Sequence, residues 1–161
     1  MKFEARGLIL GICCLAAAQC SGQRFGNWRS FRLVDGLPES ACASVTVSPQ
    51  GKTLVRHIRT PMVSELDGYT VNVIQGPERP IGRVYQSPGG QLWCVSADGL
   101  KEARDGAWIS HNVREIAFQV RSADPANLSV VSLFPVRQGL VLFLLPEALM
   151  EFSTEHGGAR Q

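Results

Sequence analysis

IGRVYQSPGGQLWCVSADGLKEARDGAWIS, residues 81–110, reads as four short strands joined by tight turns. Residues 81–85 are a β-branched, period-two run, Ser87-Pro88-Gly89-Gly90 supplies a turn, and 91–95 is a second apolar run. Proline presets φ at the second position of a β-turn and glycine suits the fourth. Ala97-Asp98-Gly99 is the next turn signal, 100–104 a short strand, Asp105-Gly106 a hairpin dipeptide and 107–110 a last strand. Such a series is a small antiparallel sheet.

The design recurs on either side. Ser48-Pro49-Gln50-Gly51 repeats the turn between strand-like runs at 43–47 and 53–58, and this copy ends in Leu66-Asp67-Gly68-Tyr69-Thr70-Val71. Downstream, Val130-Val131-Ser132-Leu133-Phe134 leads into Pro135 and Gly139, with another run at 140–145. Residues 91–100 align on 140–149 without a gap, and the turn glycines Gly51, Gly90 and Gly139 lie 39 and then 49 residues apart. That is the length of a four-stranded β-propeller blade. One such sheet cannot bury both of its faces, so the units must stack, which also shields strand edges.

The expected fold class is therefore all-β: a partial β-propeller of about three four-stranded antiparallel blades after an N-terminal signal segment. The expected division is a signal peptide at 1–18, an extension at 19–30, propeller-like repeats at 31–155 (near 31–75, 76–115 and 116–155) and a tail at 156–161. Only 114–121 and 146–150 are ambiguous between helix and strand.

Composition narrows the class. Of 161 residues, 45% are hydrophobic and 19% charged, which suits a globular chain and not a disordered one. The net charge is +2 from 16 basic and 14 acidic residues, without the concentrated basic face of a nucleic-acid binder. No run reaches the ~18 apolar residues of a membrane-spanning helix. Lys2 and Arg6 precede an uncharged stretch, 7–18, that closes on Ala16-Ala17-Ala18. Basic start, short apolar core and small exit residues are the signature of an export signal, so a periplasmic or extracellular location is expected. Ala17-Ala18-Gln19-Cys20 resembles a bacterial lipobox, with Gln19 where a small residue is usual. Membrane contact is expected only through lipidation of Cys20 or a longer chain. Beyond the leader stand Cys42 and Cys94, both in apolar strand-like segments and both read as small buried hydrophobes.

Two further stretches carry a family resemblance. Asp35-Gly36-Leu37-Pro38 precedes the first copy, with 45–47 and Gly51 after it. The second copy runs Gly90-Gln91-Leu92-Trp93-Cys94-Val95-Ser96, then Asp98-Gly99-Leu100, then Asp105-Gly106-Ala107-Trp108. Together they resemble the two-component regulator propeller repeat family across roughly 31–152. Val95-Ser96 stand where the family has Gly-Thr, Arg56-His57 stand there in the first copy, and Leu142 replaces Trp93 in the third. The resemblance implies an exported N-terminal sensor region of a bacterial sensor kinase or transcription regulator. Closed propellers have about four to eight blades, so three imply the start of a longer sensor, which is the favoured reading, a degenerate stand-alone remnant, or closure by several chains.

His57, His111 and His156 lie far apart with no carboxylate or cysteine at ligand spacing, and are read as surface or turn residues. There is no Cys-x-x-Cys pair, no Gly-x-Ser-x-Gly elbow, and no helix opening after Gly89-Gly90 or Gly157-Gly158. Glu65 and Asp67 are read as solvated. Asn127-Leu128-Ser129 fits a glycosylation acceptor, and the bacterial source that the resemblance implies would make that match accidental. Trp93 and Trp108 occupy repeat positions and are expected to pack between blades. Trp28, flanked by Arg24, Arg29 and Arg32, is expected on a solvated edge strand. No catalytic, cofactor-binding or metal-ligating residue is expected.

The expected function is a non-enzymatic sensing or binding propeller, holding an unknown ligand or protein at its blade loops, 59–66 and 121–129 being the longest polar ones. No nucleic acid is expected as a partner, and open blade edges would favour self-association. The alternatives are a secreted interaction scaffold and, less favoured, a propeller lyase or lactonase with metal-holding axial residues.

Overall fold

The computed structural model describes residues 29–124 and 131–161. The expected signal peptide, Cys20, Arg24, Trp28 and Asn127-Leu128-Ser129 lie outside the described residues. The chain divides into residues 1–30 and a second unit, Phe31–Gln161, which holds every element below.

Three sheets follow one another, each of four antiparallel strands. The first contains β1 (Cys42–Val47), β2 (Thr53–His57), β3 (Met62–Leu66) and β4 (Val71–Gln75) in that order. The second contains β5 (Ile81–Gln86), β6 (Leu92–Ser96), β7 (Gly99–Arg104) and β8 (Ala107–Asn112). The third contains β9 (Ser132–Arg137), β10 (Leu140–Leu145), β11 (Ala148–Ser153) and β12 (Gly158–Arg160). The first strands β1 and β5 are neighbours, as are β5 and β9, so successive sheets meet along their leading strands. The architecture is the all-β, propeller-like stack that the repeats imply.

The two Ser-Pro turns are built alike. Ser48 N–H donates to the Lys52 carbonyl (2.8 Å), and its buried Oγ accepts from Lys52 N–H (3.1 Å). Ser87 repeats both bonds with Gln91, at 2.8 and 3.1 Å. Gly51 and Gly90 take φ of +78° and +87°, which the turn demands and glycine supplies without steric cost. The third copy differs. Pro135 lies within β9, opposite Val141, and the hairpin closes directly from Arg137 to Leu140. Proline is tolerated there because β9 is the edge strand of its sheet.

Alternation along each strand divides the core in two. Leu54 and Val63 of the first sheet meet Val84, Leu92 and Cys94 of the second, with Ile74 and Trp108 packed alongside. Trp93, Val95 and Leu100 on the opposite face of the second sheet meet Leu133, Val141, Phe143 and Phe152 of the third. Residues 92–96 are buried throughout, as a strand covered on both faces must be.

Both ambiguous stretches resolve. Arg114–Ser122 is a helix, α1, because Val113, Ile116 and Val120 recur at helical spacing and pack on the second core, with Ala117 buried beside Ile116 in sequence. Residues 146–150 form a turn and the start of β11 instead. Among the described residues no helix is long and apolar enough to cross a membrane.

Candidate functional site

Two polar groupings stand out, and neither was anticipated from single residues. The first fastens the second sheet to the third. Glu102, on β7, is fully buried. Its Oε1 accepts from Gln91 Nε2 (2.7 Å) and from Arg104 Nε (2.8 Å) and Nη2 (2.7 Å). His111 Nε2 lies 2.9 Å from Oε2 and donates there in the tautomer protonated at that nitrogen. Gln91 turns its own Oε1 the other way, accepting from Trp93 Nε1–H (3.0 Å) and from the Gly139 amide of the third sheet (2.9 Å). Trp93, His111 and Phe152 stack around this chain, with centroids 5.1–6.2 Å apart. Every acceptor is occupied and the carboxylate has no face open to solvent, so the arrangement serves cohesion.

The second is a cavity of about 280 Å³ where the first sheet hands over to the second. Its walls come from the end of β2 (Arg56, His57), the connection 58–61, the start of β3, and Gly76, Pro77, Arg79 and Pro80 of the following linker. Pairing makes this possible: Arg56 faces Val63 across β2–β3, and Met62 faces Gln75 across β3–β4, bringing both connections to one end. Gly76 permits the close approach, since a Cβ there would sit 3.0 Å from the Pro61 carbonyl.

Three arginines line this cavity. Arg56 is half-buried and its Nε donates to the Gly82 carbonyl (2.7 Å), with no carboxylate partner among the described residues. Burial pushes its pKa below the ordinary arginine value. Arg59 and Arg79 are exposed, and neither guanidinium has a hydrogen bond or ion pair within the described residues. Arg79 adopts φ +48° immediately before Pro80, a conformation that costs a side-chain-bearing residue energy. His57 is buried to 1% exposure; Nε2 meets Ser64 Oγ at 2.8 Å while Nδ1 is enclosed without a partner. Glu39 is the nearest acid. Its Oε2 accepts the Arg59 and Thr60 amides (2.9 and 3.2 Å), shaping the connection, and the Arg59 amide is the main influence holding its carboxyl below the usual range.

Several expectations are corrected here. His57 is no surface residue: β2 has strands on both sides, and the ring is sealed against Ser64. His111 is half-buried beside Glu102, while His156 is exposed near Ser153. Glu65 is partly buried and pairs with Lys52, whereas Asp67 is exposed as expected and caps its turn by accepting the Tyr69 and Thr70 amides, both at 2.8 Å. Cys42 is exposed at the end of β1, whereas Cys94 is buried and its thiol is pushed up to about 12 by desolvation. The loop expected at 59–66 shrinks to 58–61 because Met62–Leu66 is β3, and α1 takes the start of 121–129. Trp93 packs between the second and third sheets, and Trp108 Nε1–H donates to the Gln75 carbonyl of the first (3.0 Å). Among the described residues no group of three His, Cys, Asp or Glu side chains is placed to share a metal ion.

The arginine pair Arg56 and Arg59, and the Pro77-Glu78-Arg79-Pro80 linker, were visible as residues. Their meeting depends on strand pairing across some twenty positions, which no local spacing reveals. No protein-family model matches this chain, and no curated protein matches it in sequence.

Proposed function

We propose that this chain is an exported, non-enzymatic ligand-binding module of the sensing type, similar in role to the extracytoplasmic region of two-component regulators. The observation that carries the reading is the cavity at the first inter-sheet junction. It is formed by connecting segments on a rigid sheet frame, where recognition commonly resides. The leader-like start at 1–18 supports export.

Two measurements test it. Residues 1–30 fused to alkaline phosphatase, an enzyme that needs disulfides formed outside the cytoplasm, should give active enzyme; an inactive fusion refutes export. Thermal-shift screening of the whole chain with small molecules of all charge types should find one that raises the midpoint and moves NMR resonances of 58–61 and 76–80. A panel that shifts neither removes the ligand-binding reading and leaves the interaction scaffold.

A second reading, self-association, rests on the third sheet. By the gapless alignment, Leu142, Leu144 and Leu149 correspond to Trp93, Val95 and Leu100. Those three are buried by the next sheet, yet Leu144, Leu149 and neighbouring Phe134 are 57–67% exposed. Val45 and Val47 on the outward face of the first sheet are exposed too. The first sheet of a second copy is the cover this face fits, repeating the internal sheet-on-sheet contact head to tail.

A further inference from the structure

We propose that the cavity between the first and second sheets is a site for a small organic oxyanion, a short dicarboxylate in the first instance. The inference rests on the cavity being the ligand site, and adds the ligand's chemical class.

Charge balance is the first argument. Arg56, Arg59 and Arg79 line one space with no acidic residue in its lining. Glu39 is engaged by two backbone amides and its charge also reaches Arg59, while Glu78 lines a neighbouring depression that Arg79 borders too, so Arg56 is the arginine left without an acid. A half-buried guanidinium without an anionic partner is poorly compensated, and a planar fork of donors matches a carboxylate or phosphate edge.

A second, independent observation is the His57 imidazole. It is almost wholly buried in the cavity lining, and its Nδ1 has no partner. Buried polar atoms are normally satisfied, so an enclosed orphan on a residue of the lining marks an unmet polar demand beside the cavity.

Third, Arg79 keeps a bulky side chain at φ +48°, where glycine would be free of strain. Strained backbone held at a cavity is a mark of function. The remaining lining sets the apolar side chains of Ile58, Pro61, Met62, Val63, Pro77 and Pro80 beside the polar Thr60, so an anion with a carbon body fits it better than a bare inorganic ion.

The test uses the whole chain, titrated by NMR with succinate, its neutral isostere succinamide and inorganic phosphate. Succinate should bind saturably and move resonances of 58–61 and 76–80, phosphate should bind more weakly, and succinamide should not bind. Arg59→Gln and Arg79→Gly should each weaken succinate by about ten-fold or more, the loss of one charge-assisted contact. Arg79→Gly should hold or raise the unfolding midpoint, because glycine relieves the positive φ, so weakened binding in it is not a folding defect. Succinamide binding as tightly as succinate, undiminished binding in either variant, or no saturable succinate binding overturns the proposal. Phosphate binding tighter than succinate overturns the dicarboxylate. A neutral molecule that moves these resonances where no anion does overturns the anion class while sparing the cavity as a binding site. Silence from every charge type overturns both.

Discussion

Glu102 shows how burial changes the meaning of a side chain. On the surface a carboxylate between Gln91, Arg104 and His111 would contribute little, since exposed ion pairs are screened and mobile. Within the core its removal strands several donors at once, and breaking a buried pair by deleting one partner is costly. Glu102→Ala should lower stability by about 3 kcal/mol in urea unfolding; a loss below about 1 kcal/mol would show that the network is not cohesive. Asp67 makes the converse case at an exposed turn. The Thr70 and Tyr69 amides and the Thr70 hydroxyl hold its pKa at about 2, down from 3.8. A carboxyl depressed on folding stabilises above its unfolded pKa, and that contribution is lost as pH falls through the folded value. The Asp67 turn should therefore stay closed at pH 4 and open towards pH 2, seen as faster exchange of the Tyr69 and Thr70 amides. Asp67→Asn should show no such window; identical profiles would refute the assignment. Asp67-Gly68 was readable as a turn because Asp and Gly favour one. Nothing about Glu102 in Lys101-Glu102-Ala103 announces a buried acid.

The strands and turns were the most legible features. Ser-Pro and Asp-Gly dipeptides act within a few residues, so the hairpins closed by Ser48, Ser87 and Asp105 follow from local chemistry. The third hairpin was misread because Pro135 has two suitable homes, a turn or an edge strand, and only the sheet order distinguishes them. The passage from the second sheet into α1 depends on Gly99. It adopts φ +144°, and a Cβ there would lie 2.4 Å from both the His111 carbonyl and the Val113 nitrogen. Backbone cannot yield as a flexible side chain can, so Gly99→Ala should cost at least about 2 kcal/mol in chemical denaturation. An alanine variant as stable as the parent would mean that β7 and β8 can part without loss. The same glycine read only as the end of an Ala-Asp-Gly turn; its tight contact comes from the returning strand.

Stacking accounts for most of the core. Leu54, Val63, Trp93, Phe143 and Phe152 are all sealed between sheets, each contributing a few kcal/mol of apolar burial at most. The stack leaves one apolar face of the third sheet in water, which soluble monomers seldom tolerate over a large area. If a second copy covers it, Leu144→Lys with Leu149→Lys should convert the protein from a concentration-dependent assembly to a monomer in sedimentation velocity. Secondary structure should be unchanged. A parent chain that is monomeric at every concentration removes self-association.

Alternating runs and turn dipeptides were enough to establish three small antiparallel sheets, because strand periodicity and turn conformation depend on neighbours only a few residues apart. The folded arrangement alone brought Arg56, Arg59 and Arg79 into one cavity lining with His57, buried Glu102, and left Phe134, Leu144 and Leu149 bare. Those outcomes depend on which strands pair and which sheet lies against which, and that is a matter of contacts between residues distant along the chain.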